Sequence, residues 1–162
     1  RLGRRLVDVD TEIEQHLDKS VATIVGEVGI EGFRLFEHQV IRQVLQHDDL
    51  VVSLGGGAVL EDRNVAELLL TGALVHLDVP VDVLVERLTA DDDALAARPL
   101  LAGDEPGEAL ARIAAERDER YREVADVVVD GSGPPVEVAE EILAWARRAR
   151  DVLTPSEHEV TM

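Results

Sequence analysis

Leu50-Val51-Val52-Ser53-Leu54-Gly55-Gly56-Gly57-Ala58-Val59 decides the reading of the fold. Its first four residues are short, largely apolar and rich in β-branched side chains, as in a strand buried on both faces of a parallel sheet. Three glycines follow at once. They let the backbone approach a ligand closely and expose amide donors, at an entropic cost that a plain connection has no need to bear. The same alternation extends outward in both directions. Strands are predicted at Leu6–Val9, Ala73–Leu77 and Asp126–Val129 in addition to Leu50–Ser53. Between them lie stretches of helical period: Glu31–Gln46, with Phe33, Phe36, Val40 and Val44 at spacings of three and four, then the residues after Glu61-Asp62 as far as Leu70. Further helices are predicted over Pro80–Leu88, Pro106–Val124 and Pro135–Asp151. The pattern is that of an α/β fold, a parallel sheet with flanking crossover helices.

Two segments break this rhythm. Thr89–Gly107 carries Asp91-Asp92-Asp93 and then Arg98-Pro99-Leu100-Leu101, polar and long enough for either a lid or a solvated surface loop. Thr154–Met162 is polar and aperiodic, so residues 1–153 are taken as one domain and 154–162 as a flexible tail.

The charge balance excludes some partners. A formal charge of −18 repels phosphate backbones and anionic lipid, which argues against nucleic acid and membrane. Without cysteine the chain has no disulfide, thiolate metal site or thiol nucleophile, in keeping with a reducing compartment. It has no apolar run near the roughly 18–20 residues of a membrane span and no signal-peptide core at its start, so a cytoplasmic protein is expected. The five histidines show no ligand spacing for zinc.

Three sets of residues could carry chemistry. In Val7-Asp8-Val9-Asp10, the carboxylates at a strand end suit magnesium or a substrate hydroxyl, or one of them simply caps the helix that Thr11 begins. Gly55, Gly56 and Gly57 offer backbone donors. Arg34 and Arg117 each lie among apolar residues at helical spacing, Arg34 with Ile30, Glu37 and Ile41, Arg117 with Ile113 and Tyr121. Two such arginines make either a clamp on a carboxylate or phosphate, or two structural ion pairs, Glu37 being the evident partner of Arg34.

Asp8-Val-Asp10, Phe33-Arg34-x-x-Glu37, Ser53-Leu-Gly-Gly-Gly-Ala-Val59, Arg98-Pro-Leu-Leu101 and Arg117-x-x-x-Tyr121-x-x-x-Ala125 stand in the order and near the spacing found in shikimate kinases. The chain resembles that family up to about residue 150. The resemblance implies a P-loop fold of the nucleoside-monophosphate-kinase type that transfers the γ-phosphoryl group of ATP to the shikimate 3-hydroxyl with Mg2+; for a kinase that must close a lid, a monomer is the plainer expectation. It implies that Asp10 binds the hydroxyls beside the attacked oxygen and that Asp8 reaches the metal through water. Arg34 and Arg117 then grip the substrate carboxylate and Gly55–Gly57 meet the ring hydroxyls. Arg98 closes on the transferred phosphate, and Arg87 stacks on adenine.

The chain also departs from the family. It has no Gly-x-x-x-x-Gly-Lys-Ser/Thr, the loop whose amides and lysine cradle phosphates, and its single lysine, Lys19, lacks that context. Alignment by motif sets Arg1–Arg5 just before the family's second strand. The expectation is therefore a domain whose central first strand and phosphate loop are missing, which leaves two inner strand edges unpartnered and this chain inactive as given. The stretch from Arg87 to Arg98 is also longer and more acidic than usual, and Gly131–Pro135, an adenine-side loop in the family, has no basic residue. A related small-metabolite kinase, such as one acting on gluconate, and a non-catalytic pseudoenzyme or interaction domain are the alternative readings.

Overall fold

A computed structural model of the protein describes residues 3–90 and 106–153. The first strand, β1 (Arg5–Asp8), ends because Asp8 turns into a helix cap, its carboxylate accepting the Thr11 N–H at 3.0 Å. Val9, expected to finish the strand, instead opens helix α1 (Val9–Leu17). Asp18 closes α1 in the left-handed region, and Ser20 caps α2 (Val21–Val44) by accepting the Thr23 N–H. Gly29, at φ 73° and ψ 173°, kinks α2 into two runs, and the second corresponds to the helix expected from Glu31. Gly26 and Gly29 lower helix propensity enough to hide the first run in the sequence.

Strand β2 (Leu50–Ser53) leads into a 3-10 turn at Ala58–Leu60 and then α3 (Asp62–Thr71). The remaining elements are β3 (Val75–Asp78), α4 (Val81–Thr89), α5 (Pro106–Val124), β4 (Val127–Asp130) and α6 (Pro135–Leu153). Both late strands start after their expected positions. Asp126 N–H donates to Leu74 O while the Asp126 carboxylate accepts the Leu74 N–H, and this exchange precedes the ladder.

The four strands form two parallel pairs. β1 lies on β2 with Leu6 beside Val51 and Val7 beside Val52, and β3 lies on β4 with His76 beside Val128. No ladder joins the two pairs among the described residues. Strands inside a parallel sheet are covered on both faces, yet Leu6 and Val51 are 68% and 43% exposed, and Leu77 and Val128 are open as well.

The main core is built from β1, α1, α2 and the turn after the glycines, with Val9, Ile13, Phe33, Ile41 and Ala58 at its centre. A smaller cluster, Leu88 and Ala109 with Leu110 and Ile113, fastens α4 to α5. No helix among the described residues is long and apolar enough to cross a membrane. Most of the expected lid, with Arg98, and the whole expected tail fall outside the described residues.

Candidate functional site at the glycine loop

The loop after β2 is held from several sides. Within it, Gly55 O accepts the Ala58 N–H at 2.9 Å and Gly57 O accepts the Leu60 N–H at 3.2 Å. From α3, buried Asn64 donates its amide to Ala58 O at 2.9 Å. His38 of α2 sits 2.7 Å from Asn64 Oδ1, an acceptor, so its Nδ1 carries the hydrogen. From α5, Tyr121 donates its hydroxyl to Gly56 O at 2.6 Å and Arg120 donates Nε–H to Val59 O at 3.0 Å. Arg120 is itself fixed by ion pairs to Asp62 and Glu123.

A side chain at Gly56 or Gly57 would collide with its neighbours, and one at Gly55 would be tightly packed. A Cβ on Gly57 would fall 1.6 Å from Arg34 Nη2, and one on Gly56 would lie 2.9 Å from Tyr121 Oη and 3.7 Å from Arg117 Nη1. A Cβ on Gly55 would lie 3.3 and 3.4 Å from the two Asp10 oxygens and 3.5 Å from Glu37 Oε1. Three successive backbone positions thus bring together Asp10, Arg34 and Arg117, which are far apart in sequence.

Arg34 is a charged group with a defined aim. Its Nη1 donates to both oxygens of Glu37, at 2.8 and 2.7 Å, and its guanidinium carbon stands 5.6 Å from the Phe33 ring centroid. Glu37 is fully buried while Arg34 keeps a little exposure, so the pair leaves Nη2 as the end that faces the loop. Burial pushes the Glu37 carboxyl above the usual range; Arg34 opposes this, and the charges of Asp10 and Glu61 add to it. Of the two readings open in the sequence, ion pair or clamp, the geometry contains both in one residue. Arg117 differs: half-buried on α5, it has no hydrogen-bond or ion-pair partner among the described residues.

The two aspartates divide their roles. Asp8, not Asp10, is the cap, and Asp10 lies in the first turn of α1 and not on the strand where it was expected. Burial opposes ionisation of Asp8, but hydrogen bonds from the Thr11 N–H and the Ser53 hydroxyl outweigh it and hold the carboxyl below its ordinary value. Asp8 is therefore a carboxylate at neutral pH, at the carboxyl end of β1.

Arg87 reaches the loop that lacked a basic residue of its own. It donates to the carbonyls of Gly131, Ser132 and Gly133 at 3.0, 2.8 and 3.3 Å, which fixes the guanidinium by its edge. Lys19 is committed to Glu27 at 2.6 Å. One possible cation cluster, His76, Asp78 and Asp118, brings its ligand atoms within 4.8 Å of one another, but Arg122 pairs with both carboxylates, at 2.6 and 3.0 Å. The sequence reading missed Arg120, Asn64 and His38. Only Arg120 left a trace there, three residues beyond Arg117 and so near it on the helix face.

A family model described as Shikimate kinase matches residues 1–147. The chain belongs to the shikimate kinase family. Shikimate kinase 2 of Yersinia enterocolitica is 41% identical over 142 residues, covering 88% of this chain and 80% of that protein. The shikimate kinase of Aromatoleum aromaticum is 42% identical over 127 residues, 78% of this chain and 70% of the relative. Among solved structures, the Acinetobacter baumannii shikimate kinase in complex with shikimate matches with a TM-score of 0.84 at 30% identity, over 91% of this chain and 81% of the other. The Aquifex aeolicus shikimate kinase matches with a TM-score of 0.76 at 29% identity, over 92% and 84%.

Shikimate kinases are ATP-dependent phosphotransferases of aromatic amino-acid biosynthesis with the P-loop kinase fold, and this chain has the helices and parallel strand pairs of that fold.

Proposed function

We propose that the glycine loop with Asp10, Arg34 and Arg117 is the acceptor side of a shikimate kinase. The observation that supports it is the convergence of two guanidinium groups and a carboxylate on three side-chain-free residues. A carboxylated, hydroxylated ring fits such a site: Arg34 Nη2 and Arg117 take the carboxylate, and the Gly56 and Gly57 amides and Asp10 take the hydroxyls.

The reaction assigned to the site is an in-line displacement. The substrate 3-hydroxyl oxygen bonds to the γ-phosphorus of ATP, the bond to the β–γ bridging oxygen breaks, ADP leaves, and the hydroxyl proton passes to Asp10. This chain's contribution is mainly positioning, since holding nucleophile and phosphorus in a near-attack geometry removes much of the barrier. Arg98 is assigned to the transferred phosphate and Arg87 to the adenine, its guanidinium edge tied to residues 131–133.

The two ends of ATP are served unequally. An ionised Asp8 fits a magnesium ion held through water, and that ion, when bound, neutralises phosphate charge. Among the described residues no glycine-rich loop is joined to a lysine as a phosphate cradle requires, and the single lysine of the sequence, Lys19, is paired to Glu27. We assign the cradle and a strand between β2 and β3 to chain outside residues 1–153, on the strength of the two unjoined strand pairs and their open apolar residues.

ADP release by the chain joined to its upstream-encoded residues, measured against a panel of shikimate, quinate and gluconate, tests this reading. Turnover with shikimate well above the other two is expected, whereas a preference for gluconate would overturn the assignment.

A further inference from the structure

The two strand pairs share no ladder among the described residues, yet one side chain touches both β3 and the loop after β2. Tyr121 of α5 lays its ring 5.2 Å from the His76 ring of β3, tilted by 46°, and donates its hydroxyl to Gly56 O at 2.6 Å in the loop that follows β2. Arg120 fastens the next turn of that loop through Val59 O. Gly56 has no side chain to steer it, and the position its Cβ would take is 2.9 Å from the Tyr121 oxygen.

Fixing the Gly56 carbonyl fixes a peptide plane. The Gly56–Gly57 peptide is trans, so its C=O and N–H point in opposite directions, and a carbonyl drawn to α5 turns the Gly57 N–H away from α5. The carbonyls of Gly55 and Gly57 are already taken by Ala58 and Leu60. No backbone carbonyl accepts the Gly56 or Gly57 amide among the described residues. With the Gly55 amide, these are donors the loop has to offer; the Gly55 carbonyl, held by Ala58, orients the Gly56 N–H, and the Gly56 carbonyl orients that of Gly57.

We infer that Tyr121 is a positioning residue for the acceptor site: its hydroxyl locks the Gly56–Gly57 peptide plane so that the Gly57 amide faces the substrate, next to Arg34. The inference rests on the acceptor-side reading given above. Tyr121 touches no reacting atom in this scheme. Arg117, one turn earlier on the same helix, is set against Gly56 as well, so α5 fixes a charged donor and a backbone donor together.

Tyr121→Phe is the test, because it keeps the ring on His76 and removes only the anchoring oxygen. Two readouts are taken on the full chain, amide exchange at Gly55–Ala58 without ligand, and equilibrium affinity for shikimate. Expected are faster exchange confined to the loop and an affinity lower by about fivefold, the scale of one neutral hydrogen bond. In turnover by the chain with its upstream residues, KM for shikimate rises by a similar factor while KM for ATP holds. Unchanged loop exchange overturns the inference without any ligand, as does a loosened loop with parental shikimate affinity. A parent that takes up no shikimate although its loop loosens on substitution overturns the acceptor-side reading, and the substrate role of Tyr121 falls with it.

Discussion

At Glu37 and Arg34, one residue's burial depends on its partner's charge. Glu37 is fully buried, and two hydrogen bonds from Arg34 make that tolerable. Arg34→Ala removes them and leaves a buried carboxylate alone, at a cost of about 3 kcal/mol near neutral pH. The pH dependence has a definite sign. Burial already raises the folded-state pKa of Glu37 above its ordinary 4.5, and without Arg34 it rises further. The folded form then binds a proton more readily than the unfolded form between 4.5 and that raised value. Denaturant melts of Arg34→Ala should show stability recovering as the pH falls through this window, with a smaller rise in the parent. A variant whose deficit is flat from pH 7 to about 4.5 would mean that Glu37 carries no desolvation burden.

At the scale of elements, α2 places Phe33, Arg34 and Glu37, and its bend lies one turn before them. Gly26 and Gly29 both have open space around them, so their alanine variants differ only in backbone. Gly26 lies in ordinary helix, and Gly26→Ala should stabilise by roughly 0.5–1 kcal/mol. Gly29 holds a backbone conformation nearly reserved for glycine, and Gly29→Ala should destabilise by about 1–3 kcal/mol. Chemical denaturation of the pair reads this directly; equal effects would mean that the helix runs straight in solution. The same glycines explain what the sequence could tell. Strands β2 and β4 and helix α5 were legible because local pattern and final structure agree there. The run Val21–Val28 was hidden by low propensity, and the end of β1 by a cap, since an aspartate after apolar residues reads equally as strand or cap until Thr11 N–H is seen on it. The convergence of Asp10, Arg34 and Arg117 was open to motif recognition, but Asn64 was not, because a tertiary hydrogen bond to a carbonyl leaves no spacing to find, and Arg120 left only its three-residue offset from Arg117.

For the molecule as a whole, a charge of −18 opposes an anionic substrate at long range. Screening removes most of that objection, since beyond a Debye length of about 8 Å the diffuse surface charge is weak and a bound anion feels the nearest cations. Those are Arg34 and Arg117, held to neighbouring positions of one loop by α2 and α5. Recognition of the substrate carboxylate at this site is tested most cleanly at Arg117, because no carboxylate among the described residues is left unpaired by its removal. The measurement is an equilibrium titration of shikimate into the chain and into its Arg117→Ala variant, with circular dichroism confirming equal folding. Binding by the parent and a loss of about 30-fold in the variant, roughly 2 kcal/mol for a charge-assisted hydrogen bond, is the predicted result. Equal affinity in the two, or a folded parent that takes up no shikimate, would contradict it.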